Sequence, residues 1–371
     1  MNYCTRCVLP DTRPGIVLGD DGVCNACQNA QTQQVVDWTA RQRDWQKVVS
    51  WAKGRRKRYD CVIPVSGGKD STWQTIICLE SGLHPLGVTW RSPARTALGR
   101  ANLDNLIQLG VDHIDFSVNP KVEKKFMLET LKRSGSPAIP MHLALFNIPP
   151  TVAAGWDIPL VVWGENSAVE YGGSRQLAGE RLTGEWLREQ GVSQGTQASD
   201  WVTENISAQE LASYTGPGDT ELKKRDVRSV FLGHYFRWDP QTSLKAAKQY
   251  GFRERREGPK TGYYNFADVD DDFISIHHWL KWYKFGITRL FDNLSLEIRR
   301  GRMDRDEAIE IICSRGDQTP HEDIAAFCSY TGITTQEFFA ICEEFRNTEI
   351  WEYKDGTWVI PDFLVSDWQW S

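Results

Sequence analysis

The chain has 371 residues, a length for two or three domains, with the apolar and charged fractions of an ordinary folded protein. Its formal net charge is −6, so no global basic field draws it to nucleic acid or to an anionic membrane. No apolar stretch reaches the ~20 residues that span a bilayer, and the N-terminus has no secretory apolar segment. A cytoplasmic location is therefore expected, with the nine cysteines reduced or bound to metal.

Residues 1–30 hold two pairs, Cys4-Thr5-Arg6-Cys7 and Cys24-Asn25-Ala26-Cys27, separated by 16 residues. That spacing predicts a zinc site of Cys4, Cys7, Cys24 and Cys27. Four thiolates complete a tetrahedral zinc ion and leave no position for water, so the site is expected to be structural. A redox dithiol and an iron–sulfur cluster are the competing readings. Turn residues such as Pro10, Pro14 and Gly19 fill the intervening stretch around a short Ile16–Leu18 strand. Residues 31–59 read as one or two amphipathic helices linking this module to the next domain. The basic run Lys53–Arg58 reads as a solvated helix end.

Residues 60–255 alternate strand and helix, which predicts an α/β domain with a parallel sheet and helices on both faces. Cys61–Val65 is an apolar strand, Ser66-Gly67-Gly68-Lys69-Asp70-Ser71 a turn, and Trp73, Ile76 and Ile77 lie on the helix after it. Strand, glycine turn and helix make a phosphate cradle: glycines let backbone approach the anion, and helix N–H groups point at it. The spacing is not that of a Walker loop. Further strands are expected at Pro85–Trp90, Val111–Val118 and Pro159–Trp163, and helices at Ala101–Leu109 and Val122–Arg133. Leu143–Ala154 is expected to be helical only in part, broken by Pro149-Pro150. Ligands of parallel sheets bind beyond the C-terminal strand ends, where Ser66–Ser71, Arg91 and Glu165-Asn166 fall.

Residues 167–226 are rich in Gly, Ser, Thr, Gln and Glu, and read as an insertion or lid with helix at Gly184–Gln190 and Ala208–Ser213. A fifth strand at Val227–Trp238 and a helix at Ser243–Gly251 come next. Residues 256–371 read as mostly helical, with a terminal hairpin around Asp355-Gly356. Arg289, Asp292, Ser295 and Arg299 share one helix face, which on spacing alone reads as solvated and ion-paired.

The segments MNYCTRCVLPDTRPGI, GVCNAC, PVSGGKDS, WGEN, YFRWD and KFGITRLFDNLSLEIRRG together resemble the bacterial N-acetyl sugar amidotransferases of the WbpG type, within the PP-loop ATP pyrophosphatases. The resemblance implies a PP-loop (adenine nucleotide α-hydrolase-like) fold and conversion of an acetamido group of a nucleotide sugar to an acetamidino group, for surface polysaccharide (O-antigen) or flagellin glycans. The implied route runs through an O-adenylyl imidate that ammonia attacks, with ATP cleaved to AMP and pyrophosphate. ATP and Mg²⁺ are implied beside structural Zn²⁺. The amides of Gly67, Gly68 and Lys69 and the hydroxyls of Ser66 and Ser71 are expected to hold phosphate, and Asp70 to hold Mg²⁺ or cap its helix. Val65, Thr89 and Trp90 are expected at the adenine, and Glu165 and Asn166 at Mg²⁺ or the sugar, with Glu165 able to take a proton from the attacking ammonia. Arg91, Tyr171, Lys284, Arg289, Asp292 and Arg299 are the expected substrate residues. His142, His234, His277 and His278 read as structural.

No segment is left for a glutaminase, whose nucleophilic Cys needs a distant His. Ammonia is thus expected free or from a separate glutaminase–cyclase pair resembling imidazole glycerol phosphate synthase. The substrate is expected to be a UDP- or CMP-linked acetamido sugar, with no nucleic acid partner. The alternatives are a PP-loop tRNA-modifying enzyme of the sulfurtransferase type and a zinc-anchored assembly protein that binds nucleotide without turnover.

Overall fold

The computed structural model describes residues 1–190, 193 and 195–370. Two helices come after the cysteine-rich segment, α1 (Asn25–Gln33) and α2 (Trp38–Gly54). The basic run Lys53–Arg58 at the end of α2 is exposed, as a solvated helix end should be. The α/β part then runs β1 (Cys61–Pro64), α3 (Lys69–Glu80), β2 (Pro85–Trp90), α4 (Ala97–Ile107), β3 (Asp112–Phe116), α5 (Pro120–Ser134), α6 (Ile139–Gly155) and β4 (Leu160–Trp163). After α7 (Ser167–Glu170), α8 (Gly184–Gln190) and α9 (Asp219–Lys224) come β5 (Arg228–Phe231) and α10 (Pro240–Gln249).

The five strands form one parallel sheet in the order β3-β2-β1-β4-β5, the α/β class expected from the alternation. Strands β1, β2 and β4 are buried on both faces, which is why they read as continuous apolar runs, while the edge strand β3 is only partly covered. Successive residues point to opposite sides. Val62 packs with α5 and α6 through Phe126, Ile139 and Leu143, while Cys61 and Ile63 pack with α2, α3 and α4 through Trp45, Trp73 and Leu103. Chain order departs from β1 in both directions, to β2 on one side and to β4 on the other. The crevice between the β1 and β4 ends is therefore the sheet's switch point, where ligands of such sheets bind.

Two expectations are corrected by the fold. Helix α6 does not break at Pro149 and Pro150 but continues through them. The prolines remove two amide donors, yet both are buried, and burial across the sheet and the insertion holds the helix. Asn147 Nδ2 reinforces it by donating to Leu143 O at 2.8 Å, and Thr151 Oγ1 donates to Asn147 O at 2.6 Å. The second correction concerns the face of Arg289, Asp292, Ser295 and Arg299. It is not solvated: Asp292 and Ser295 are 0% exposed.

The 167–226 stretch, of which residues 191, 192 and 194 lie outside the described residues, adds Trp186, Trp201, Leu211 and Tyr214 to the α5–α6 core. Helices α11 (Ile274–Phe285), α12 (Arg289–Arg299), α13 (Arg305–Arg315), α14 (His321–Thr331) and α15 (Thr335–Glu343) make the C-terminal region helical as expected. A hairpin of β6 (Glu352–Lys354) and β7 (Thr357–Val359) turns at Asp355-Gly356. The four cysteines and Ile16 share a core with Ile287, Leu290, Phe291 and Leu294, so the N-terminal segment is seated on α12. No helix among the described residues is long and apolar enough to cross a membrane.

Candidate active site

The four cysteine sulfurs lie within 4.8 Å of one another and are buried. Cys4 and Cys27 are 4.0 Å apart and Cys7 and Cys24 3.7 Å. Zinc–sulfur bonds of about 2.3 Å in a tetrahedron put sulfurs about 3.8 Å apart, so the four thiols can hold a zinc ion. Backbone N–H groups support the sulfurs: Cys24 N donates to Cys4 Sγ at 3.2 Å and Cys27 N to Cys24 Sγ at 3.4 Å. Arg299 is buried beside them, and the cysteines hold its guanidinium pKa up against burial. A tetrathiolate zinc centre carries two negative charges, which a buried arginine partly offsets.

A cleft of about 970 Å³ opens at the switch point. One wall is the turn leaving β1. Gly67 has φ +85°, and a Cβ there would stand 2.4 Å from the Leu103 backbone nitrogen, so only glycine fits. Gly68 caps α3 without a side-chain acceptor, which leaves the first-turn amides facing the cleft. Ser66 Oγ accepts from Gly68 N at 3.2 Å, and Ser71 Oγ donates to Gly68 O at 3.0 Å. Lys69 pairs with Asp70, and its ammonium lies 5.3 Å from the Phe266 ring centre and 5.7 Å from that of Trp238. Trp238 Nε1 donates to Asp70 Oδ1 at 2.9 Å.

Val65, Thr89 and Trp90 line the same cleft at the β1 and β2 ends. Thr89 Oγ1 donates to Val65 O at 2.5 Å, and Trp90 Nε1 to Glu123 Oε1 at 3.0 Å. Across the crevice, Glu165 leaves the end of β4. Burial, and then the neighbouring Asp70 carboxylate, push its pKa up to about 7. A carboxyl poised near neutrality can carry a proton in either direction.

Lys284, Arg289 and Tyr171 also line the cleft, Tyr171 near Glu165 and Asp70. Arg91, Asn166, Asp292 and Arg299 do not, and a role at the substrate finds no support in their placement. Arg91 is exposed and donates to Asp115 Oδ2 from Nε at 2.8 Å. Against the burial that pushes it up, Arg95 and Arg91 hold the Asp115 carboxyl down to about 2. Asn166 is buried and spent on the insertion. Its Nδ2 donates to Leu177 O at 2.8 Å, and its Oδ1 accepts from Trp186 Nε1 at 3.0 Å. Asp292 binds Arg13, Lys281 and Arg289, while Arg299 Nη2 donates to Glu170 O at 2.8 Å.

Sequence reasoning missed Arg13, Arg95, Lys281 and Trp238 as cleft residues. It also set His142, His277 and His278 aside, yet all three line the cleft. Burial holds His142 down to about 4 and pushes His277 and His278 well below the usual histidine range. His234 lies elsewhere, in a small cavity beside Arg41. One signal was available: Lys281 stands three residues before Lys284, one helical turn along the same face.

Residues 260–364 match the family described as LPS biosynthesis protein WbpG-like, C-terminal domain. That span carries α11 to α15 and so the cationic end of the cleft. No curated protein matches the chain. Among solved structures, the predicted subunit of a tRNA methyltransferase from Methanocaldococcus jannaschii is similar at 16% identity and a TM-score of 0.27, over 51% of this chain and 75% of that one.

Proposed function

We propose that the chain is an ATP-dependent N-acetyl sugar amidotransferase that converts a sugar acetamido group to an acetamidine, a reading supported by the match of residues 260–364 to the WbpG-like C-terminal domain. The observation that carries this reading is the facing pair in one cleft: the open amides at the head of α3 and, across the switch point, Glu165 with a pKa near 7.

The chemistry needs both. An amide oxygen does not leave as oxide. In the proposed reaction that oxygen attacks the α-phosphorus of ATP, here a substrate, and the bond to pyrophosphate breaks. Ammonia adds to the activated carbon and gives up a proton. The carbon–oxygen bond then breaks, AMP carries away the amide oxygen, and the amidine remains. The amides of Gly67, Gly68 and Lys69, with the Ser66 and Ser71 hydroxyls, hold the phosphates as charge develops on the leaving group. Lys69 neutralises them, and Val65, Thr89 and Trp90 border the base. Glu165, ionised, takes the proton from the ammonia nitrogen.

Two carboxylates close together in one cleft, with Asp70 helping to push Glu165 up, are a fitting place for a divalent cation. Asp70, with Glu165 beside it, would hold Mg²⁺, which would offset the charge of the phosphates. The Cys4–Cys7–Cys24–Cys27 zinc is structural, and its protein role is to seat the N-terminal segment on α12. Ammonia arrives free or from a separate glutaminase–cyclase pair, and the product serves a bacterial surface polysaccharide or flagellin glycan.

The test is AMP formation by purified protein with ATP, Mg²⁺, ammonium and a UDP- or CMP-linked acetamido sugar. AMP should require both sugar nucleotide and ammonia, and Lys69→Ala should abolish it with circular dichroism unchanged. Normal turnover in Lys69→Ala removes the loop from the mechanism.

A further inference from the structure

We propose that the N-terminus of α12 and the adjoining face of α11 form a second anion subsite, built from Arg13, Lys281, Lys284 and Arg289, that takes the diphosphate of the substrate in its UDP-linked form. The inference rests on the amidotransferase reading and adds where that substrate is held.

All four cations line the cleft. Three of them converge on the buried Asp292 carboxylate. Arg13 Nε is 2.5 Å from Oδ1, and Lys281 Nζ and Arg289 Nη1 are 3.0 and 3.4 Å from Oδ2. Lys284 has no carboxylate among its described contacts; its ammonium donates to Ser134 O at 3.2 Å. The other nearby acid is Asp268, which faces Arg289 and lies 3.5 Å from His278 Nδ1. His142, His277 and His278 add no charge at neutral pH, because burial keeps them neutral. Four cations thus face two carboxylates. The surplus of two positive charges equals, with opposite sign, the charge of a diphosphate diester.

The donors are also incomplete within the protein. Arg289 Nε and Thr288 Oγ1 are buried without a hydrogen-bond partner among the described residues. Thr288 is the N-cap of the 11-residue helix α12, and its side chain makes no capping bond. An anion at this helix start receives the unspent guanidinium N–H of Arg289, which lines the cleft, together with the positive end of the helix dipole. Partly buried cations in surplus are costly unless a ligand supplies the counter-charge. The Ser66–Ser71 loop is a separate cradle, so one cleft has a place for each of two phosphate groups. An acetamido sugar between them would lie beside Glu165 and Tyr171, both cleft residues.

Isothermal titration on the full-length, zinc-loaded protein tests this, with UDP and UDP-N-acetylglucosamine as probes and a non-hydrolysable ATP analogue as control. Lys284→Ala and Arg289→Lys should each weaken both uridine probes tenfold or more and change the ATP analogue less than twofold. Lys69→Ala should do the reverse. Lys284→Gln, which keeps the side-chain length, guards against a folding defect. Uridine affinities unchanged in folded variants, or no uridine binding to the wild type, overturn the proposal. So does competition by free glucuronate without competition by UDP, which would assign the subsite to a carboxylate. If the probes behave as expected but no acetamido sugar supports AMP formation, the amidotransferase reading fails and the subsite stands. If AMP forms with an unchanged KM for the sugar nucleotide in both variants, the subsite fails and the reading stands.

Discussion

Replacing Asp292 by Asn keeps the shape of the side chain and removes the one negative charge at the centre of three cations. Asp292 is fully buried, with Arg13, Lys281 and Arg289 within 3.4 Å. Their side chains are 14, 16 and 19% exposed, so water from the cleft replaces the lost partner only in part. Removing one member of a buried ion pair costs about 3–5 kcal/mol, because a buried charge is left uncompensated. A melting shift of about 2–4 °C per kcal/mol for domains of ~150–250 residues puts the loss at ~6–20 °C. Thermal melts of zinc-loaded protein by circular dichroism read this directly. The pH dependence has a fixed sign. The surrounding cations hold the Asp292 carboxyl well below its ordinary range despite burial. Its stabilisation is therefore present above the unfolded pKa of about 4 and lost as pH falls through the folded value. Wild type and Asp292→Asn should differ most near neutrality and converge in acid. The cluster also ties the N-terminal segment to α12 through Arg13, so the variant should be cleaved faster by protease within residues 1–30. A melting temperature within about 2 °C of wild type at pH 7 would refute the reasoning, since under ~1 kcal/mol is what an exposed pair is worth.

The remaining predictions concern the loop, the base and the metal. Gly67→Ala should lose about 1–2 kcal/mol to the left-handed backbone, and its Cβ should also push on Leu103 and weaken nucleotide binding at least tenfold. An ATP affinity equal to wild type would contradict that. With rates expressed per free ammonia, kcat/KM should rise through pH about 7 as Glu165 ionises and then level off. Glu165→Gln should remove that step and slow turnover about 10²–10⁴-fold, and a retained step would assign the base elsewhere. The same raised pKa makes ionised Glu165 destabilising, so its stability contribution is greatest below the unfolded value of about 4.3 and is lost as pH rises through about 7. Cys24→Ser should lose stoichiometric zinc and soluble yield, since a structural site of this kind contributes on the order of 10 kcal/mol to folding. Unchanged zinc content by elemental analysis would remove the structural site.

Local chemistry was legible in the sequence where neighbours along the chain are also neighbours in space. The two CxxC pairs and the Ser66–Ser71 turn each carry their geometry in a few consecutive residues, and the α/β alternation fixes the parallel sheet. The second strand is found at Pro85–Trp90, as its apolar run predicts. What the sequence hid depends on distant contacts. Nothing in the spacing of Arg289, Asp292 and Arg299 says that their helix is buried, because that results from the N-terminal segment covering α12. Arg13 reads as part of a turn-rich stretch until that packing brings it to Asp292. The prolines of α6 read as a break because propensity is local, whereas the burial that overrides it is tertiary. Asn166 sits at a strand end, the expected place for a ligand residue, but its amide is consumed by Leu177, Gly179 and Trp186. Of the residues selected by position at a strand end, Val65, Ser66, Thr89, Trp90 and Glu165 line the cleft, while Arg91 and Asn166 do not.

The cleft joins three parts of the chain. The α/β sheet supplies the phosphate loop and Glu165, the insertion supplies Trp186, and the C-terminal helices with Arg13 supply the cationic end. This arrangement explains why the cysteine module matters to the site: its Arg13 lines the cleft, and losing the module would release Arg13 and uncover α12.

The central claim is that the chain replaces an amide oxygen by nitrogen at the expense of ATP. Mass spectrometry of UDP- and CMP-linked acetamido sugars incubated with the protein, ATP, Mg²⁺ and ¹⁵N-ammonium reads that exchange atom by atom. Oxygen replaced by a ¹⁵NH group leaves the neutral sugar nucleotide at nearly unchanged nominal mass, whereas ¹⁴N-ammonium gives a product about one mass unit lighter. The account predicts this pair of masses, with AMP formed in equal amount and ¹⁸O from a labelled acetamido group recovered in AMP. AMP released without any change in the sugar, or a modified sugar whose ¹⁸O is not found in AMP, would contradict it.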